Sequence, residues 1–238
     1  MINTELAMKV FTELMEDLIA NHQFEDFLES DGGSSDFTDW SYKAFNGEMA
    51  CCSNGSWAGS CYQNEDYLIT NGCCRFVIAN EHYPFVFKAD FHREDKYCVK
   101  EYENYSLVAN EGLEMFVANI ERLTEYAGFT FYVMERADCD YDETCNTMQE
   151  YLVDLAMENG EYDNDRDLAY EELYWTGDSD RVDEFLDAYY NAESNHIATM
   201  WGLFSVLCSK HHINDIHAGN IGRIGDRWVL VDYSGYFD

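Results

Sequence analysis

The 238-residue sequence predicts an α+β protein with two lobes, and three observations carry that expectation. The first half reads as strands with one helix among them, and the second half reads as helices followed by a terminal hairpin. Hydrophobic residues make up 47%, enough for a sizeable core. A single proline stands where average usage near 5% would give about 12, which favours extended regular structure over Pro-rich linkers.

Thr4 is placed to cap an amphipathic helix whose apolar positions Leu6, Val10, Phe11, Leu14, Leu18 and Ile19 recur at spacings of three and four. Residues 29–39 (ESDGGSSDFTD) are polar and rich in Gly and Ser, which predicts a linker, so 1–39 reads as a helix and linker. The first lobe is expected over 40–137, although 40–71 matches neither the helical nor the strand period. From Phe76, FVIAN and FVFKADF read as an antiparallel pair around a turn with Pro84; Phe85, Phe87 and Ala89 share one face, Val86 and Lys88 the other. A helix is expected over roughly 94–110, ending near Gly112, and strands over 120–126 and 129–134 turn through Ala127-Gly128. The second lobe, 138–238, is expected to be helical at roughly 144–159, 180–190 and 194–209. It closes with a hairpin of 221–224 and 228–231 through Gly225-Asp226.

Charge excludes several function classes. With 14 Lys+Arg against 47 Asp+Glu the net charge is −33, so the cations that would release counterions from nucleic acid are missing, and anionic membranes are disfavoured too. No apolar run reaches the roughly 18 residues of a membrane helix, and 1–30 has no basic leader before an apolar core, so a cytoplasmic, unprocessed chain is expected. The nine cysteines include the adjacent pairs Cys51-Cys52 and Cys73-Cys74 and no C-x-x-C, which reads as reduced thiols. His196, His211, His212 and His217 lack cysteine or carboxylate partners at ligand spacing, which argues against a metal cluster.

The chemistry-bearing segment is Asp215-Ile216-His217-Ala218-Gly219-Asn220, followed by the hairpin and by Val231-Asp232-Tyr233-Ser234. Phosphoryl transfer from a nucleotide needs a carboxylate to take the proton of the attacking hydroxyl and oxygen ligands for magnesium, and Asp215, Asn220 and Asp232 supply that set. Upstream, Lys88 ends the strand FVFK; taken alone it also fits a solvated strand lysine. On the following helix Tyr97, Cys98, Glu101, Tyr102 and Tyr105 fall on one face, which turns Glu101 inward with Glu103 as its competitor.

D-x-H-x-x-N with a second Asp after a hairpin resembles the catalytic loop and metal-binding Asp of the protein-kinase-like superfamily, and the order of the upstream motifs is similar. Within it the likeness is closest to the early serine/threonine protein kinase of short-tailed (podoviral) bacteriophages, over roughly 71–234; the shared features are the N-G turn before the strands, the A-G pair ahead of the hinge strand and I-N-D-I-H-A-G-N-I after a long apolar helix. The resemblance implies a two-lobed kinase-like fold with an N-terminal helical extension, ATP and Mg2+ as cofactors, and host proteins as substrates. It implies Asp215 as catalytic base, Asn220 and Asp232 as magnesium ligands, and Lys88, braced by Glu101, on the α and β phosphates. It implies a hinge in Val133-Met134-Glu135-Arg136-Ala137: Met134 guards the pocket, and the Glu135 carbonyl and Ala137 amide bond the adenine.

The family's G-x-G-x-x-G loop is reduced to the turn at Gly72, with Gly55 and Gly59 a more distant alternative. Ile213 and Asn214 stand where His and Arg are usual, which argues against control by a phosphorylated activation loop. The chain ends at Asp238, so the second lobe is expected to be truncated after the Asp232 hairpin. Two other functions fit: a small-molecule phosphotransferase of the aminoglycoside or choline kinase type, and a non-catalytic acidic inhibitor that imitates DNA and captures a basic host protein. In each case the acidic surface suits a basic partner. Oligomeric state is not legible.

Overall fold

The computed structural model describes residues 2–45, 50–51, 60–72, 74–110, 112–138, 213, 220–225 and 227–234, which form a mixed α+β fold with an antiparallel sheet. The helices expected at 144–159, 180–190 and 194–209 lie outside the described residues, as do Asp215, His217, Gly55 and Gly59. Contacts divide the chain into Met1–Glu103 with Asn119–Arg136, and Asn104–Ala118 with Ala137–Asp238. Among the described residues no helix is long and apolar enough to cross a membrane.

In the first unit the strands are β1 (Ala50–Cys51), β2 (Ser60–Gln63), β3 (Tyr67–Asn71), β4 (Arg75–Asn80), β5 (Phe85–Asp90), β6 (Ile120–Tyr126) and β7 (Phe129–Glu135). Their order is β1-β2-β3-β4-β5-β7-β6, antiparallel throughout. The segment 40–71, which sequence periodicity leaves unclassified, thus contributes the end of a helix and three strands. The β6–β7 hairpin turns through Ala127 (φ 50°) and Gly128 (φ 84°), the paired left-handed residues that a tight hairpin favours.

Alternation sets the two faces of the sheet. Phe76 and Ile78 of β4, Phe85, Phe87 and Ala89 of β5, and Phe129, Phe131 and Val133 of β7 point to one side and join a single core with the N-terminal helices. Helix α1 (Thr4–His22) buries Ala7, Val10, Phe11, Leu14, Met15 and Leu18 in that core, whereas Leu6 is 39% exposed. Its cap is Asn3 rather than Thr4: the Asn3 side chain accepts the Leu6 N–H at 3.1 Å, and Thr4 is already helical. Tyr67 of β3 donates its hydroxyl to Asp17 of α1, tying that helix to the sheet.

The segment read as a linker is structured. After α2 (Phe24–Glu29), helix α3 runs over Ser34–Ala44, with Asp36 accepting the Gly33 N–H at its start and Phe37 and Trp40 buried. Those two aromatics, three apart, are one turn of an apolar face that the surrounding Ser and Asp residues conceal. Gly32 and Gly33 serve close packing rather than flexibility. A Cβ on Gly32 would stand 2.7 Å from the Phe129 ring, and one on Gly33 2.7 Å from the His92 ring. Arg93 closes this corner: its guanidinium donates to the carbonyls of Leu28, Ser30 and Ala127 and stacks 4.8 Å from the Phe129 centroid.

Helix α4 (Tyr97–Asn110) starts three residues later than the sequence predicts, because Phe91–Arg93 form a short 3-10 turn in which His92 and Arg93 are left-handed. In the second unit, β8 (Ile221–Ile224) and β9 (Arg227–Leu230) form the terminal hairpin, turning through Gly225. Val117 bridges Leu230 in parallel, and the Ala118 N–H bonds the Leu230 carbonyl at 2.9 Å. Asp138 and Arg223 exchange two backbone hydrogen bonds, each 2.8 Å.

Candidate functional site

Lys88 lies on β5, in register with Val77 of β4 and Tyr132 of β7, on the face opposite the aromatic core. That placement takes its ammonium away from water as well as from the phenylalanines, so it needs a counter-charge there. Glu101 of α4 provides it. The Lys88 Nζ donates to Oε1 at 3.0 Å and to Oε2 at 2.8 Å, and Glu101 is 0% exposed. Glu103, the competing residue, is exposed and lies 4.0 Å from Lys100. The inward face read from the helical period is therefore the one that reaches Lys88.

A second cation meets the same carboxylate. Arg75, the first residue of β4, brings a guanidinium nitrogen to 2.8 Å from Glu101 Oε1 and stacks 5.8 Å from the Tyr97 ring. Sequence reasoning missed Arg75, although the signal was present: it alternates with Phe76 and Ile78 and so shares the Lys88 face. Asp90, two residues beyond Lys88 on that face, was missed as well. Its carboxylate accepts the N–H groups of Lys96 and Tyr97 at 2.6 Å each and of Cys98 at 3.1 Å, capping α4 from the sheet.

Cys98 is buried beside these charges. Burial pushes its thiol well above the ordinary range; Arg75 opposes this, while Asp90 and Glu101 add to it. A raised folded-state value means that the fold favours the neutral thiol, a contribution present at neutral pH and lost as pH rises through the shifted range. Native protein treated with iodoacetamide at pH 8 is expected to leave Cys98 unmodified, with modification appearing in the peptide map only after unfolding.

The other residues that the sequence places at a nucleotide are arranged as follows. Gly72 is exposed in the β3–β4 turn, where its N–H donates to the Arg75 carbonyl at 2.9 Å and its own carbonyl accepts from the Asn71 side chain. Met134 of β7 is buried, with its sulfur 3.9 Å from the Lys88 Nζ. Glu135 is tied to Asn119 twice: its N–H donates to the Asn119 carbonyl at 2.8 Å, and its Oε2 accepts the Asn119 N–H at 3.1 Å. Ala137 is half-buried, and Arg136 between them pairs with Glu81.

In the second unit the hairpin brings Asn220 and Asp232 to one end. Asn220 precedes β8, and its carbonyl accepts the N–H of Val231, the neighbour of Asp232, at 2.8 Å. Asp232 accepts from the Ser234 hydroxyl at 3.4 Å. Tyr233 is fully buried: its carbonyl takes the Asn104 side-chain N–H at 2.7 Å, and its hydroxyl donates to the Ala118 carbonyl at 2.7 Å. These bonds, one across 129 positions of sequence, fix the backbone on either side of Asp232. Replacing Asn104 by leucine is expected to cost about 1–3 kcal/mol, because the buried Tyr233 carbonyl loses this donor; thermal unfolding reads it.

Among the described residues no three His, Cys, Asp or Glu side chains gather to hold a metal ion. One carboxylate and one amide oxygen at the same hairpin end nevertheless suit magnesium, which keeps several waters and takes few protein ligands beside nucleotide phosphates. No family model matches the chain, and no curated protein matches it in sequence.

Proposed function

We propose that the chain is an ATP- and magnesium-dependent protein serine/threonine kinase of the kind made early by short-tailed bacteriophages, acting on basic host proteins. The observation that carries this reading is the buried Lys88–Glu101 pair. In protein kinases the phosphate-holding lysine lies on the third strand and pairs with a glutamate of the following helix. Counted from the strand before the Gly72 turn, Lys88 is on the third strand, and α4 is the next helix. A two-lobed kinase-like architecture goes with this reading, with 40–137 as the first lobe and 138–238 in the second.

In this reading Glu101 holds the Lys88 ammonium in place to neutralise charge on the α and β phosphates, and Asp215 orients the acceptor hydroxyl and takes its proton. Asn220 and Asp232 hold magnesium, which when bound neutralises phosphate charge. The −33 net charge repels an anionic nucleotide from the surface at large, so local cations matter more here than in a neutral protein, and the same surface attracts basic acceptors.

The test is incubation of the full chain with γ-labelled ATP, magnesium and bacterial lysate. Label is expected on proteins, with Asp215→Ala and Lys88→Ala each reducing transfer by about 10²-fold or more. Equal transfer by Asp215→Ala overturns the assignment. Label found only on small molecules moves the acceptor to the metabolite class.

A further inference from the structure

We propose that Asn104 is a positioning residue for Asp232, setting the direction from which that carboxylate meets a magnesium ion; this rests on the kinase reading above. Three observations within the second unit carry it. The Asn104 side-chain N–H donates to the Tyr233 carbonyl at 2.7 Å, and Tyr233 follows Asp232 directly. Tyr233 is fully buried and donates its hydroxyl to the Ala118 carbonyl at 2.7 Å, so the residue after Asp232 is held by its main chain and by its ring. On the other side the Val231 N–H donates to the Asn220 carbonyl at 2.8 Å, which ties the residue before Asp232 to the second magnesium ligand of this reading.

Asparagine is a costly choice at this place in α4. It is a poor helix former, this one is 0% exposed, and its Oδ1 has no hydrogen-bond partner among the described residues. Val108, one turn further along α4, is equally buried and apolar, which is what packing alone asks for. What the amide supplies instead is the bond to Tyr233. Asp232 sits between two pinned peptide groups, and releasing one lets the backbone dihedrals beside it drift, which turns its carboxylate. Magnesium penalises such drift, because it demands near-octahedral ligands at about 2.0–2.1 Å, whereas calcium accepts a flexible shell at about 2.3–2.6 Å. Loss of Asn104 should therefore discriminate between the two ions, which a loss of stability alone does not do.

Calorimetric titration of the full chain with ATP, in magnesium, in calcium and without metal, separates this role from a structural one. Contacts that orient a metal ligand are typically worth about 10- to 100-fold in metal affinity. Asn104→Leu, folded by circular dichroism, is expected to lose about 10-fold or more of the ATP affinity that magnesium adds, less than about threefold of what calcium adds, and less than about twofold without metal. Asn104→Ala removes the same donor without apolar bulk and should give the same pattern, which covers the case in which leucine does not fit. Leu14→Ala, which weakens the core of the first unit, is the stability control and should keep the wild-type ratio of magnesium to calcium. Magnesium dependence retained in both Asn104 variants, equal losses in the two ions, or the same selective loss in Leu14→Ala overturns the proposal while leaving the kinase reading intact. A wild type whose ATP affinity magnesium does not raise overturns both.

Discussion

Glu101→Ala is expected to destabilise the protein by about 3–5 kcal/mol, the cost of removing one partner from a buried ion pair. The reason is specific to this site: Glu101 is 0% exposed and serves Lys88 and Arg75 together, so its loss removes a shared carboxylate from two largely buried cations at once. Glu101→Gln keeps the shape and one oxygen acceptor and should fall between alanine and wild type. Lys88→Ala should cost less than Glu101→Ala, because Arg75 still accompanies the carboxylate. Urea denaturation of the three variants gives the ordering, and in the double variant Lys88→Ala/Glu101→Ala part of the loss should be recovered. A Glu101→Ala midpoint equal to wild type would mean that the carboxylate is not the buried hub described here.

The second large effect concerns the other face of the sheet. Phe76→Ala is expected to cost about 3–5 kcal/mol, the usual range for emptying a phenylalanine site in a packed core. Phe76 is fully buried and touches five rings, with centroids at 4.9 Å for Phe37, 5.2 Å for Phe27, 5.5 Å for Phe129, 5.6 Å for Phe91 and 5.8 Å for Phe131. These rings come from two N-terminal helices, β7 and the turn after β5, so no one neighbour can collapse into the void without pulling another away. Leu107→Ala on the exposed side of α4 is the control and should lie within about 0.5 kcal/mol of wild type.

Much of the sheet was legible because its signals are local. The alternation in FVIAN and FVFKADF gives both faces of β4 and β5, and Ala127-Gly128 marks the β6–β7 turn. Helical period alone separates Glu101 from Glu103, since four positions return to the face of Tyr97 and two do not. What local signals conceal is composition working against geometry. The Gly, Ser and Asp residues around α3 read as linker, yet Phe37 and Trp40 supply the apolar face, and the two glycines admit Phe129 and His92. The Thr4 cap was misplaced by one residue because Asn3 caps equally well in principle and only geometry decides between them.

The site divides in the same way. Lys88 and Glu101 are 13 residues apart on adjacent elements, so strand alternation and helix period together suffice to pair them. Arg75 was readable from the β4 alternation once β4 was known to begin there. The Asn104–Tyr233 bond is not readable from sequence, because nothing local in a helical asparagine or in D-Y-S says that the two meet. Asp90 capping α4 also depends on the Phe91–Arg93 turn, whose left-handed residues carry no glycine to announce them.

Calorimetric titration of the wild-type chain and Asp232→Ala with ATP, in the presence and absence of magnesium, decides whether the protein binds a magnesium nucleotide through Asp232. Saturable binding by the wild type that magnesium strengthens is expected, with an Asp232→Ala variant, folded by circular dichroism, losing the magnesium-dependent part. No binding heat in the wild type over a range of temperatures, or magnesium dependence that survives Asp232→Ala unchanged, would contradict this assignment.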